Sequence, residues 1–309
     1  MLDLAADRIH SFGPWPASSP VLLACSGGAD STFLALAWQH TAREQVIQGL
    51  AQLPTAIVVV VDHGHRVDSA QDASAAAAIY QELGFEVQIK CAHADGTANE
   101  AELRDARYAM LLESAAQHGA KRILLAHHAD DNAETVLMRI LRGTGLPGLC
   151  GIPSRRQLTP DIELLRPLLR LRGPEMRRVL VALHQAWIED PTNADPSVAT
   201  RNLLRQEIIP QLAAAATGDP ISALLKLSAE AREWHEAKEE MLVAASDFGC
   251  LPSYLRKQAI RDELRKLGVT ISPTRLSNLE CALLRRGTAG VDQDSKLELL
   301  GGKLITART

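Results

Sequence analysis

Two polar clusters hold the residues whose types and spacing can do chemistry. The first is Ala24-Cys25-Ser26-Gly27-Gly28-Ala29-Asp30-Ser31. Adjacent glycines let a main chain approach phosphate oxygens with no Cβ between them. Ser26 and Ser31 add hydroxyl donors, and Asp30 is of the type that reaches a bound magnesium ion. The second cluster is His127-His128-Ala129-Asp130-Asp131-Asn132-Ala133-Glu134. Asp131 and Glu134 are three apart, so on a helix they share a face where carboxylates can hold magnesium or steer an attacking group. His127, four before Asp131, can donate to a phosphate or carry a proton near neutral pH. The plainer readings are an ordinary strand-to-helix turn for the first cluster and, for the second, acids that only complement a helix N-terminus.

Arginines form a third set. Arg104, Arg107 and Tyr108 share one face of a helix that Asn99 would cap. A planar fork of donors there could clamp a triphosphate, or pair with Glu100 on the helix surface. Arg201 and Arg205 are an i, i+4 pair that could reach phosphate or stay solvated. In Arg142-Gly143-Thr144-Gly145, Gly143 can stop a helix and the stretch could approach a ligand backbone. Cys25 abuts the first cluster, but sulfur transfer needs a reactive thiolate pair or an iron–sulfur cluster. The cysteines at 25, 91, 150, 250 and 281 include no close pair, so Cys25 reads as a small buried residue at a strand end.

The elements around these clusters follow from hydrophobic periodicity. Residues 21–24, 56–61, 87–90 and 123–126 are short apolar runs that predict strands, and 32–50, 70–83, 100–118 and 130–141 are spaced as helices. Alternating β and α units imply a doubly wound parallel sheet, whose ligands gather beyond the carboxyl ends of the strands. Residues 26–31, 62–66 and 127–134 all follow such ends. The first cluster therefore opens a helix, where unpaired backbone N–H groups and the helix dipole favour an anion. Beyond Leu149 the pattern changes to a short piece at 164–169, a helix over 172–185 and a Pro- and Asn-rich turn at 189–196. Helices follow over 201–216 and 219–245, then a small basic α/β unit from about Cys250. This gives a domain at 1–215, then a helical connector and small α/β domain at 216–309.

A chain of 309 residues with 46% hydrophobic content can bury such cores. It has no 18-residue apolar run, so no membrane span is expected, and no apolar signal core near Met1. Scattered cysteines argue against disulfides and structural zinc and fit a reducing cytoplasm. The net charge of −4 divides unevenly: residues 1–150 carry 10 Lys and Arg against 17 Asp and Glu, whereas 151–309 carry 23 against 20. A basic second half suits local docking of RNA, although solvated helix faces would look much the same.

The turn lacks the spacing of the Walker loop and of dinucleotide-binding folds. Ser-Gly-Gly-x-Asp-Ser resembles the PP-loop of the ATP pyrophosphatases, which cleave ATP between the α- and β-phosphates and transfer AMP to a substrate oxygen. Together with the block His127 to Ile152, Arg166-Pro167-Leu168-Leu169, Glu189-Asp190-Pro191-Thr192-Asn193 and 201–205, it resembles the tRNA(Ile)-lysidine synthetase family. The resemblance runs from Val21 to Leu212 and more faintly to Ala307.

It implies that Ser26, Gly27, Gly28, Ala29, Asp30 and Ser31 bind ATP and that Asp30 and Asp131 hold Mg2+. His127, Asp131 and Glu134 match the catalytic block, and Arg104 and Arg201 match positions that steady the nucleotide or adenylate. The implied partners are CAU-anticodon tRNA(Ile) and free lysine, with a homodimer left open. His65 stands where the family usually has leucine, and Ala199 and Thr200 where an aromatic is common. The resemblance also implies one compact C-terminal domain in place of two. A tRNA thiolase with the same loop and a non-catalytic nucleotide- or RNA-binding module are the alternatives.

Overall fold

The structure is a computed structural model. It describes residues 1–16, 18–62, 69–91, 100–189, 200–244, 247–292 and 294–308. The expectations at 63–66, Asn99, 190–196 and Ala199 lie outside the described residues. The chain separates into two compact units, Met1–Ala229 and Glu230–Thr309.

In the first unit α1 (Leu2–His10) precedes β1 (Val21–Cys25), α2 (Ala29–Gln48), β2 (Ala56–Asp62), α3 (Ser69–Glu82), β3 (Glu86–Cys91), α4 (Glu100–His118), β4 (Arg122–Leu125) and α5 (Ala129–Leu141). A short α6 (Leu146–Leu149), β5 (Arg155–Gln157), β6 (Glu163–Leu165) and α7 (Gly173–Ala182) follow. The strands form one sheet in the order β3-β2-β1-β4-β6-β5, parallel except for β5 against β6. The apolar runs are strands because both faces are covered. Val21, Leu23, Val58 and Val60 pack with Phe33 and Leu34 of α2, Tyr80 of α3 and Met176 of α7. Leu22, Ile57, Val59 and Ile123 point the other way, to Leu111 and Ala115 of α4. This alternation is the doubly wound arrangement that the periodicity implied.

Strand order reverses at β1: β2 lies on one side and β4 on the other. The connections leaving β1 and β4 therefore diverge to opposite sides and open a crevice at their carboxyl ends. Residues 26–28 and 126–128 sit at its two lips. Helix α2 starts three residues earlier than its apolar spacing suggested. Ala29, Asp30 and Ser31 are thus its first turn, and the irregular turn is only Ser26-Gly27-Gly28. The segment after α7 holds α8 (Thr200–Leu203), a π-helical turn (Leu204–Ile208) and α9 (Ile209–Ala215). The long α10 (Pro220–Ala244) comes next.

The second unit holds α11 (Ser253–Lys266), α12 (Pro273–Arg286) and an antiparallel sheet of β7 (Thr288–Gly290), β8 (Ser295–Leu300) and β9 (Lys303–Arg308). Ile260, Leu264, Leu276, Leu283 and Leu297 form its core. Among the described residues no single helix is long and apolar enough to cross a membrane. None of the five cysteines forms a disulfide.

Candidate active site

The turn at the end of β1 is built around Gly27, whose φ is +85°. An added Cβ would lie 2.8 Å from Ala76 Cβ and 3.0 Å from Ile188 Cδ1, so both conformation and space require glycine. Gly28 is the extended N-cap of α2 and offers no side-chain acceptor. The first N–H groups of the helix therefore face the crevice as anion donors. Ser31 is buried. Its hydroxyl donates to Gly28 O at 2.9 Å and accepts from Ser26 N–H at 3.2 Å, so it braces the turn.

Tyr80 was not singled out from the sequence. Its hydroxyl accepts from Gly27 N–H at 3.2 Å and lies 3.0 Å from Ser31 Oγ and 3.4 Å from Thr32 Oγ1, while the side chain is fully buried. The available signal was one phenol at the end of an alanine-rich helix, since a buried hydroxyl needs partners. Tyr80→Phe leaves Gly27 N–H without its acceptor, a loss of about 1–3 kcal/mol. ATP affinity is expected to fall about tenfold with adenosine affinity unchanged, as read by calorimetric titration of both. Full ATP affinity in the variant would remove Tyr80 from the site.

Cys25, beside the same hydroxyl, is pushed up to about 12 by burial. A thiol that stays protonated at neutral pH is a poor nucleophile, consistent with the small buried residue expected there.

Across the crevice, His128 caps α5 in an extended conformation, and Asp131 Oδ2 accepts its N–H at 3.0 Å. Three carboxylates surround the His128 ring: Asp30 at 3.4 Å and Asp131 at 3.7 Å from Nε2, and Asp130 at 3.4 Å from Nδ1. Burial opposes charge on His128, but hydrogen bonds to Asp130 and Asp30 and the charge of Asp131 overcome it and push the ring up to about 10. Nδ1 is also placed to accept Asp130 N–H at 3.2 Å. An imidazolium has no lone pair for that bond, so the two arrangements exclude one another, and three carboxylates decide for the charged ring.

His127 has the opposite character. Its Nδ1 is buried without a partner. Burial, with Arg166, Arg201 and Arg107 nearby, pushes it down to about 4 against the pull of Asp131. Two adjacent histidines thus differ in protonation at neutral pH, a neutral base beside a charged cap.

Asp130 accepts from Arg172 Nε at 3.0 Å and from Gly173 N–H at 2.8 Å. Although burial alone would raise it, His128, Gly173 and Arg172 hold its carboxyl well below the usual range.

Glu134 is 1% exposed, and burial raises its carboxyl above the ordinary value. Arg205 holds it with a fork, Nε at 2.7 Å and Nη2 at 3.1 Å, and the same Nη2 donates to Asp131 Oδ1 at 3.2 Å. Arg201 Nε lies 3.4 Å from Glu134 and its Nη2 donates to Thr135 Oγ1 at 3.2 Å. Both arginines reach the block, but Arg205 is the one that bridges the two carboxylates. It lies in the π-helical turn at 204–208, a distortion frequent at functional sites. Arg104 forms no ion pair with these carboxylates among the described residues; its guanidinium sits 5.6 Å from the Tyr108 ring.

A cavity of about 360 Å³ opens onto this block. Asp30, His128, Asp130, Glu134 and Arg205 line it together with Ile209, Pro210, Ala213 and Ile221. Asp30 Oδ1 is buried without a hydrogen-bond partner, whereas both Asp131 oxygens are engaged. No set of three or more His, Cys, Asp or Glu side chains among the described residues is arranged to hold a metal ion. One unpaired carboxylate oxygen at a phosphate turn still fits magnesium, which binds through one or two carboxylates, waters and substrate phosphates.

A glycine turn at the switch point of a doubly wound sheet, faced by a His-Asp-Glu block, defines a PP-loop protein, and the model of the PP-loop domain family matches residues 4–212. The tRNA(Ile)-lysidine synthase of Rhodopseudomonas palustris is 38% identical over 247 residues, which cover 79% of this chain and 68% of that protein. The enzyme of the same name from Salinispora tropica is 41% identical over 210 residues (67% and 60%). That of Thermus thermophilus is 34% identical over 286 residues (86% and 53%). The chain belongs to the tRNA(Ile)-lysidine synthase family of PP-loop proteins. It spans between about half and two thirds of the length of these relatives. Among solved structures, the U34-tRNA thiolase NcsA from Methanococcus maripaludis superposes with a TM-score of 0.57 at 16% identity, covering 74% of this chain and 79% of that one. At that identity the likeness is one of fold.

Proposed function

We propose that the chain ligates free lysine to C2 of the wobble cytidine in CAU-anticodon tRNA(Ile), consuming ATP through an adenylated intermediate. The observation that carries this reading is the meeting of two half-sites across one crevice. Asp30 of the phosphate turn and Asp131 of the second block both face the His128 ring, at 3.4 and 3.7 Å.

The N–H groups at the start of α2 and the Ser26-Gly27-Gly28 turn hold the phosphates. Cytidine O2 attacks the α-phosphate and pyrophosphate leaves. The lysine ε-amine then attacks C2, AMP leaves with the O2 oxygen, and the proton shed by the amine passes to neutral His127. Adenylation is needed because an oxygen bound to C2 is a poor leaving group, whereas AMP is a good one. Asp131 and Glu134, braced by Arg205, orient the amine, and Arg201 and Arg104 steady the negative charge of the adenylate. Asp30, with Asp131, would hold Mg2+, which when bound neutralises charge on the departing pyrophosphate. The cytidine must leave the stack to reach such a crevice, as a base in a single-stranded anticodon loop can. The substrates place the reaction in the cytoplasm.

The test is incorporation of labelled lysine into a CAU-anticodon tRNA(Ile) transcript with ATP and magnesium, with tRNA(Met) as control. Label in tRNA(Ile) alone is the expected result. Pyrophosphate released on adding tRNA, without label, would retain adenylation and replace lysine by another nucleophile, sulfur first. Silence in both readouts from folded protein would leave a nucleotide- or RNA-binding module.

A further inference from the structure

Three arginines from three elements converge on Tyr108, on the α4 face of the sheet. The guanidinium of Arg104, on α4, lies 5.6 Å from the centre of the Tyr108 ring, and that of Arg156, on β5, also lies 5.6 Å from it. Arg166 directly follows β6. Leu165 pairs with Leu124, which sets Arg166 alongside Leu125, at the end of β4 and two residues before His127. Arg166 is 3% exposed. Its Nη1 donates to Pro153 O at 2.8 Å, and its Nε is buried with no partner. Among the described residues no carboxylate forms an ion pair with Arg104, Arg156 or Arg166. Burial disfavours the charge on Arg166, a hydrogen bond with the Tyr108 side chain favours it, and Arg156 and Arg104 add to the effect of burial.

Like charges gathered without a counter-charge, one of them almost wholly buried, oppose folding unless the arrangement serves a ligand that neutralises them. His127, whose Nδ1 is unpaired, lies within reach of the charge of Arg166. We propose that Arg156 and Arg166, with Arg104, form a binding site for a phosphoryl group of a nucleotide ligand, using the Tyr108 ring as the spacer that sets their separation. Guanidinium forks match phosphate oxygens, and a tetrahedral anion can accept from several forks at once. Cation–π contact with one ring holds two forks apart without adding the competing negative charge that a carboxylate would bring.

The phosphoryl group has two sources in the reaction proposed above, on which this inference rests: the triphosphate of ATP, or the RNA backbone beside the reacting cytidine. The variants are Arg156→Gln, at an exposed position, and Arg166→Lys, which keeps charge and loses the fork. Affinities are measured for ATP, for inorganic pyrophosphate, and for a CAU anticodon stem-loop RNA over a series of salt concentrations, with thermal unfolding to establish folding. If the RNA backbone is the ligand, Arg156→Gln weakens RNA binding about tenfold, lowers the slope of log K on log salt by about 1, and leaves ATP and pyrophosphate unchanged. If the triphosphate is the ligand, ATP and pyrophosphate weaken together and RNA does not. Arg166→Lys weakens the same ligand as Arg156→Gln. Unchanged affinities for all three ligands in Arg156→Gln overturn the inference. Such a result in protein that still incorporates lysine would leave the proposed function standing. RNA or ATP binding that depends on Arg156, in protein that incorporates no lysine, would overturn the lysine reading and keep the phosphoryl site.

Discussion

Asp131→Asn is expected to lower lysine incorporation by about 10²- to 10³-fold, the usual cost of removing one preorganised electrostatic group from an active site, with the affinity for ATP in the absence of magnesium unchanged. One Asp131 oxygen accepts His128 N–H and the other accepts Arg205 Nη2. An amide keeps a single carbonyl oxygen. If that oxygen caps α5, an NH2 group faces the Arg205 fork and two donors oppose one another, so Arg205 shifts and Glu134 loses part of its brace. The phosphate turn belongs to β1 and α2 and makes no hydrogen bond to Asp131, which is why nucleotide binding should survive. The measurements are labelled-lysine incorporation and ATP titration without magnesium on the same preparation. Full incorporation by Asp131→Asn would remove Asp131 from the catalytic group. Equal loss of both readouts would instead mean a folding defect.

Gly27→Ala is expected to abolish most ATP binding, for two reasons. A non-glycine residue in the left-handed region costs roughly 1–2 kcal/mol, and Gly27 has φ +85°. The added methyl would also stand 2.8 Å from Ala76 Cβ, and overpacking of this kind costs about 1–3 kcal/mol. If the turn relaxes to relieve either, the N–H groups that face the crevice are re-aimed, and each 1.4 kcal/mol so lost is about a tenfold fall in affinity. A second substitution, Ala76→Gly, removes the contact with Ala76 Cβ but leaves the 3.0 Å approach to Ile188 Cδ1 and the backbone strain. ATP titration of the pair should therefore recover part of the loss, and the shortfall measures what the strain and the Ile188 contact contribute together. Wild-type affinity in Gly27→Ala alone would show that the turn does not contact the nucleotide.

Much of this architecture was legible in the sequence, because its signals are local. The run from Ala56 to Asp62 is apolar and mostly β-branched, as a strand covered on both faces must be. Ser26-Gly27-Gly28 had to be a turn, since it joins a strand pattern to a helical one. Asp131 and Glu134 share a face of α5 because helical spacing puts them there. The limits of α2 were less legible: apolar spacing begins at Thr32, while the backbone begins the helix at Ala29, and polar first-turn residues carry no periodicity.

The choice among arginines was closed to the sequence altogether. Arg201 and Arg205 have equal standing as an i, i+4 pair, and the fork of Arg205 on Glu134 depends on a π-turn and on contacts about seventy residues away along the chain. Tyr80 under the phosphate turn, and Arg156 and Arg166 beside Tyr108, are pairings across the sheet that no spacing announces.

The two histidines divide the matter most sharply. The sequence by itself determined that His127 and His128 stand where a strand gives way to a helix. Only the tertiary structure decided that one is neutral and the other charged. Extended backbone turns successive side chains to opposite sides, so His128 meets Asp30, Asp130 and Asp131 while His127 is buried where the charges of Arg166 and Arg201 oppose the pull of Asp131. Asp130 and Asp131 lie beside the pair in the sequence, but the burial of both rings and the charges of Asp30, Arg166 and Arg201 come only from the fold.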